Sequence, residues 1–307
     1  MSYSIRSIKK EFAEHGVFYT DERLARLLAD EVSKFGEVRQ VYDPTCGAGN
    51  LLAAFGDDVE KFGQEINAEQ ADVARQRLTN AHIVTGDTLV EPAFSDRKFR
   101  HIVANYPFSI KWQPVADLRW MDAPCLPPPS KADYAFIMHI ISMMAPDGVA
   151  ATLNFPGILY RGAREGKIRE WLVRRNLIDS VTIMERGYFE DTNIETALII
   201  FKMRRNVTSI KFADHASGRE YTASFEEVEQ NGFTLSPSSY IVIEDEREPI
   251  DPIEVEKQAR AEALRYLNAQ LKFSKHAEII HEILGLPPLP PLSEFINDLT
   301  NLIAKYK

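Results

Sequence analysis

The chain is poor in the residues that would point to several common functions. It has two cysteines, Cys46 and Cys125, in 307 residues, too few for a disulfide framework or a zinc set. No apolar run approaches the length of a membrane span, and the opening Met1-Ser2-Tyr3-Ser4-Ile5-Arg6 has no secretory-type apolar stretch. A reducing cytoplasm, with no membrane partner, is therefore the expected compartment. Positive charge is also scarce: 36 Lys and Arg stand against 45 Asp and Glu, a net charge of -9. A nucleic-acid partner normally demands a clustered basic surface. Two segments concentrate what base there is. Arg161, Arg164, Lys167, Arg169, Arg174 and Arg175 fall within 161–175, and Lys202, Arg204, Arg205 and Lys211 fall within 202–211. Residues 244–262 are acidic. This balance implies that any contact with DNA needs help from a partner.

What is present is a globular composition, 45% hydrophobic and 26% charged, long enough for one large domain and an appendage. Apolar residues at helical spacing predict a helix over 22–35, and Val38–Tyr42 reads as a short buried strand. Asn50–Phe55 is expected to open a helix. Lys61–Ile66, His82–Thr85 and Phe99–Ala104 read as further strands, with a helix over Asn67–Leu78. This alternation predicts an α/β fold around a mostly parallel, doubly wound sheet. Lys111–Lys131, with two tryptophans and the run Pro127-Pro128-Pro129, reads as a long irregular loop of the kind that serves function. Helices over Tyr134–Met144 and Lys167–Arg175 follow, with strands over Val149–Asn154, Ile178–Met184 and Thr196–Met203, at least one antiparallel. Residues 1–205 are expected to form the main domain. Residues 206–245 read as a small β-rich extension with strands near 209–213 and 220–224, and 246–307 as a helical tail ending in a helix after Ser293.

The chemistry concentrates at strand ends. Val41-Tyr42-Asp43-Pro44-Thr45-Cys46-Gly47-Ala48-Gly49-Asn50 runs a strand into a glycine turn, where free N–H groups and a permissive backbone admit a ligand. The third glycine of a dinucleotide fingerprint is missing, since position 52 is leucine. Asp43 would repel a pyrophosphate but suits an ammonium group, such as that on the amino-acid end of S-adenosylmethionine. Glu65 ends the second strand, where a carboxylate can accept both ribose hydroxyls. Asp87 follows the third strand and could accept from an adenine amino group. Any one of these acids could be a surface or capping carboxylate; three at successive strand ends argue for a nucleoside site. Cys46 reads as a small packed residue, with nothing cationic beside it. His15 and His139 show no partners and read as structural.

After the fourth strand comes Asn105-Tyr106-Pro107-Phe108. An exocyclic adenine nitrogen is a poor nucleophile because its lone pair is delocalised into the ring. The Asn105 amide oxygen and the Tyr106 carbonyl could accept its hydrogens, with Pro107 fixing the geometry and Phe108 stacking on the base. A base in a duplex must first be flipped out to enter such a site. No metal is required.

These motifs, in this order, resemble the N6-adenine DNA methyltransferases, specifically the modification subunits of type I restriction-modification systems. Gly16-Val17-Phe18-Tyr19-Thr20 is similar to the family's element beside the methionine end of the cofactor. Asp43–Gly49, Glu65, Asp87 and Asn105–Phe108 match its later motifs, and Gly157–Gly162, Gly166–Arg169, Asn176–Asp179 and Thr192–Thr196 resemble its type I pattern. The resemblance implies a Rossmann-like methyltransferase fold and S-adenosylmethionine as cofactor. It implies a cofactor set of Phe18, Tyr19, Thr20, Asp43, Pro44, Cys46, Gly47, Gly49, Asn50, Glu65, Ile66, Asp87, Thr88 and Asn105. The implied partners are DNA, a specificity subunit docked through the helical tail, a restriction subunit and a second copy of the chain. Three departures stand out. Tyr106 replaces the first proline of Asn-Pro-Pro-Phe, Asp21 replaces another proline, and about fifteen residues precede Gly16 where the family carries a large helical domain. Autonomous DNA binding is therefore not expected. A non-catalytic assembly subunit and an enzyme for another planar nitrogen (cytosine N4, an RNA base or a glutamine amide) remain the alternatives.

Overall fold

The computed structural model describes residues 22–115, 117–187, 195–241 and 252–287. These fall into two units, within Met1–Val242 and Ile243–Lys307.

The first unit is built on one nine-stranded sheet of order β3-β2-β1-β4-β5-β7-β6-β8-β9. Its strands are β1 (Gln40–Asp43), β2 (Glu60–Glu65), β3 (Ala81–Thr85), β4 (Phe99–Ala104) and β5 (Met144–Asn154), then β6 (Ile178–Met184), β7 (Thr196–Lys202), β8 (Ile210–Asp214) and β9 (Arg219–Ala223). From β3 to β5 all neighbours are parallel, and β7 runs antiparallel between β5 and β6. The strands expected near 209–213 and 220–224 are present and extend this same sheet, β8 pairing with β6.

Alternation along the strands divides the core between two faces. Ile102 and Ala104 join Tyr42, Phe62, Ile199 and Phe201 on one face, and Val103 joins Val41, Leu153 and Ile200 on the other. Helix α1 (Glu22–Ser33) buries Leu24, Leu28 and Val32 on the second face, one turn apart as its sequence spacing requires. Helix α2 (Ala68–Arg77) adds Ala71 and Ala74 there, with Asn67 as N-cap accepting from the N–H groups of Glu69 and Gln70. The first face is covered by α3 (Asp133–Met143), apolar almost all round, and α4 (Ala163–Arg174). Helix α5 (Phe225–Gln230) closes the unit with a capping box between Ser224 and Glu227.

One expected helix is missing. Asn50–Phe55 forms only a single 3₁₀ turn over Leu52–Ala54. Leu51, Leu52 and Phe55 are all drawn into the core within five residues, and Gly56 follows, so no helical stripe can develop. Strand β5 is also longer than Val149–Asn154, because a register shift opposite Phe99–His101 accommodates its early residues.

In the second unit, helix α6 (Pro252–Leu284) runs unbroken for 33 residues, within the expected helical tail. The expected last helix after Ser293 lies outside the described residues. No described helix is long and apolar enough to cross a membrane.

Candidate active site

The chain passes from β1 outward to β2 and β3, then returns to place β4 on the other side of β1. Strand order reverses there, and the crevice beyond the carboxyl ends of such strands is where open α/β sheets bind ligands. A cavity of about 420 Å³ lies at this point, lined by residues that follow β1 (Pro44, Thr45, Gly47), β2 (Glu65, Ile66), β3 (Gly86–Val90) and β4 (Asn105, Pro107). Its size falls in the range of roughly 300–1,000 Å³ typical of small-molecule sites.

The turn after β1 is held from below and from the side. Asp43 Oδ1 accepts the Thr45 N–H at 3.0 Å, and Glu65 Oε2 accepts the Gly47 N–H at 2.9 Å. Gly47 has φ +51° and faces open space, so it leaves the backbone accessible from the cavity. Gly49 has φ +82° and no room for a side chain, since a Cβ there would lie 2.7 Å from Leu78 Cδ1. Glu65 Oε1 meanwhile accepts the Asn67 N–H at 2.8 Å. Its carboxylate therefore orients two backbone segments while lining the cavity. Asp87 is held the same way, through the Leu89 N–H at 2.8 Å. Ile66 is 68% exposed on the cavity wall, a large apolar side chain placed to cover a flat ring.

The other expected cofactor residues divide between the cavity lining and the residues behind it. Asp43 is 1% exposed and lies beneath the turn, outside the cavity lining. Burial, with the charge of Glu65 nearby, pushes its carboxyl up to about 7. Cys46 is buried against Gly63, and burial pushes its thiol up, so it is packing and not a nucleophile. Asn50 is turned to Arg77, whose guanidinium donates to its amide oxygen. Thr88 lines the cavity. Phe18, Tyr19 and Thr20 lie outside the described residues.

In the Asn105–Phe108 segment, Asn105 and Pro107 line the cavity and the two aromatic rings do not. Tyr106 is 1% exposed, stacked on Phe136 with ring centres 4.9 Å apart, and its hydroxyl donates to Asn154 Oδ1. Asn154 can accept because its amide nitrogen is already committed to Thr152 O, Thr152 Oγ1 and Ala197 O. The tyrosine that replaces a proline thus points into the core and leaves the cavity uncrowded. Phe108 meets Tyr106 edge-on at 6.2 Å and is half-buried. Substituting Tyr106→Phe leaves Asn154 Oδ1 buried without that donor. It is expected to cost about 1–3 kcal/mol of stability, read from the midpoint of urea unfolding.

The sequence reading missed the wall that the long loop contributes. Ile110, Lys111, Trp112 and Gln113 line the cavity, as do Gln70 and Phe136. Asp133, fully buried at the start of α3, accepts the Ser109 N–H, and the proline run supplies carbonyls to Trp112: Pro129 O to its N–H and Pro128 O to its indole Nε1. Only the long loop and its prolines hinted at this in the sequence.

The basic segments are largely consumed inside the protein. Arg169 donates to Phe233 O, Ile158 O and Arg161 O; Arg174 pairs with Glu170 and Glu229; Arg205 pairs with Asp179. Arg161 faces Glu165 and Arg175 faces Asp122. Arg164, Lys167, Arg174, Arg175, Arg204 and Lys211 are exposed, and of these Arg174, Arg175 and Lys211 already face acids.

A strand-order switch beside β1, with acids at successive strand ends and an antiparallel β7 inserted between β5 and β6, is the fold of the S-adenosylmethionine-dependent methyltransferases. The family model of the N-6 DNA methylases matches residues 3–224, and the chain belongs to that family. Among its relatives, the methylase subunit of the type I restriction enzyme MpnII from Mycoplasma pneumoniae is 34% identical over 221 residues, 62% of this chain and 41% of that protein. The MjaIX methylase subunit from Methanocaldococcus jannaschii is 25% identical, over 88% of this chain and 60% of its own length. The methyltransferase subunit of a type I restriction-modification system from Streptococcus thermophilus superimposes with a TM-score of 0.68 at 28% identity, covering 73% of this chain and 59% of that one. The chain thus spans about half the length of these relatives.

Proposed function

We propose that the chain transfers a methyl group from S-adenosylmethionine to the N6 amine of a flipped-out adenine in DNA, as the modification subunit of a type I-like system. The observation that carries this is one cavity joining Glu65, Asp87 and Asn105 at the ends of β2, β3 and β4.

The lining suits this cofactor. Glu65 and Asp87 supply acceptors for ribose hydroxyls and for an adenine amine, and Ile66 supplies an apolar cover. Gln70 Oε1, a buried acceptor in the lining, has no hydrogen-bond partner among the described residues, and a nucleoside donor would satisfy it. Asp43 lies behind the lining and fixes the turn by accepting the Thr45 N–H. The bound cofactor would supply an electrophilic methyl group on a sulfonium. The Asn105 amide oxygen and the Tyr106 carbonyl would accept hydrogen bonds from the amine, and Pro107 would fix their spacing. Catalysis would then rest on alignment and on polar groups already in place.

The remaining assignments extend this reading. DNA contact would come mainly from a specificity subunit, since the chain's own basic residues are mostly paired internally. Helix α6 presents Tyr266, Phe273, Ile280 and Ile283, each more than half exposed, as the face for that partner; a restriction subunit and a second copy could join the assembly. Residues 1–205 would act as the catalytic domain, 206–245 as its extension and 246–307 as the docking tail, in the cytoplasm.

The test is to incubate the protein, alone and with its specificity subunit, with labelled S-adenosylmethionine and unmodified DNA. The DNA is then digested to nucleosides. Label in N6-methyl-2′-deoxyadenosine is expected. Label in N4-methyl-2′-deoxycytidine would reassign the target base, and no transfer to DNA by the assembled protein would favour a non-catalytic subunit or an acceptor other than DNA.

A further inference from the structure

Arg119 lies in the middle of the 111–131 loop, yet its side chain is only 7% exposed. Its guanidinium donates to two successive backbone carbonyls, Thr88 O at 2.8 Å and Leu89 O at 2.7 Å. It also pairs with Asp117 Oδ2 at 2.7 Å and reaches His139 Nδ1 at 3.0 Å. Arg is a donor only, so His139 Nδ1 accepts and the ring proton sits on Nε2. That nitrogen faces Tyr42 Oη at 3.1 Å and Thr88 Oγ1 at 3.2 Å. Burial, reinforced by the charge of Arg119, pulls the His139 imidazolium down to about 3, which keeps the ring neutral and able to accept.

The placement of these bonds matters more than their number. Thr88 and Leu89 belong to the wall of the cavity that follows β3, while Lys111–Gln113 form the wall contributed by the loop. Arg119 fastens the middle of that loop to the Thr88–Leu89 wall, and the indole of Trp120 under its guanidinium, 4.5 Å away, steadies it and meets Trp112 of the loop wall edge-on. The buried His139 ties both to β1 through Tyr42.

We propose that Arg119 is a positioning residue of the cofactor site, clamping the 111–131 loop onto the Thr88–Leu89 backbone so that the Asp87 side of the cavity is preformed before a nucleoside enters. The inference rests on the cofactor reading above and adds a residue that touches no ligand. It also makes the start of the loop a fixed wall of the site.

The test is calorimetric titration of the full chain with S-adenosylmethionine and with 5′-methylthioadenosine, well below the unfolding temperature of each variant. Arg119→Met is expected to weaken both ligands by tenfold or more and by the same factor, because the loss falls on the nucleoside half. Arg119→Lys, which can reach one carbonyl, is expected to recover part of the affinity, and to serve alone if the methionine variant does not fold. Leu118→Ser, at a neighbouring residue 82% exposed, is expected to bind like wild type. Hydrogen exchange should show the 111–120 amides protected in wild type without ligand and unprotected in the folded Arg119 variant. Wild-type affinity in a folded Arg119 variant with lowered thermal stability would overturn the clamp and leave Arg119 a purely structural residue. Failure of wild type itself to bind either nucleoside would overturn the cofactor reading and the clamp together.

Discussion

Asn105→Ala is expected to lower the single-turnover rate of methyl transfer by about 10²–10³-fold, the loss typical when one preorganised polar group at a reacting centre is removed. The expectation follows from position. Asn105 is the first residue after β4 and lines the cavity beside Pro107, whereas the Tyr106 ring is anchored in the core. The variant loses the side-chain acceptor for the amine hydrogens but keeps the backbone carbonyl of residue 106. The segment stays held by the pairing of Ala104 with Thr152 on one side and by the Tyr106–Asn154 and Ser109–Asp133 bonds on the other, and thermal unfolding of the variant checks that the fold is kept. Cofactor affinity should shift only a few-fold, since Glu65, Asp87 and the glycine turn remain. The measurement pairs single-turnover rates at saturating cofactor with calorimetry. A rate within threefold of wild type would remove Asn105 from the catalytic role.

Glu65→Gln should be the most damaging change to cofactor affinity, by roughly 100-fold. The substitution preserves shape and removes charge, so it isolates what the carboxylate does. Both oxygens of Glu65 accept backbone N–H groups, from Gly47 and from Asn67. A glutamine can satisfy one of them and must set its own NH₂ against the other. The glycine turn is then released or pushed aside, and the acceptors for ribose hydroxyls are halved. Hydrogen bonds to charged groups contribute about 1.5–3 kcal/mol each, and 1.4 kcal/mol is tenfold in affinity, so losing one such bond and misplacing the turn accounts for the expected factor. Calorimetry on the folded variant checks it; affinity within threefold of wild type would remove Glu65 from the cofactor site.

How much of this was legible depended on range. Strand Phe99–Ala104 is bounded as its apolar run suggests, because burial on both faces selects such runs locally. The acids at the strand ends could be read for the same reason, strand end and chemistry being adjacent in sequence. Asn50–Phe55 misled because two leucines and a phenylalanine after a glycine turn look helical, while three buried side chains in so short a span allow one 3₁₀ turn. The direction of Tyr106 was hidden because its acceptor, Asn154, is 48 residues away. His139 looked partnerless for the same reason, since Tyr42, Thr88 and Arg119 reach it from three other segments. The basic segments misled in the opposite direction. Arg169 and Arg205 look free in sequence and are spent on carbonyls and Asp179 in the fold.

The most direct test of the account is a crystal structure of the protein with S-adenosylhomocysteine, the demethylated cofactor. The account places its ribose on Glu65, its adenine against Ile66 on the Asp87 side, and its sulfur facing Asn105. Density for the ligand outside this cavity, or within it with the ribose away from Glu65, would contradict the assignment of the site.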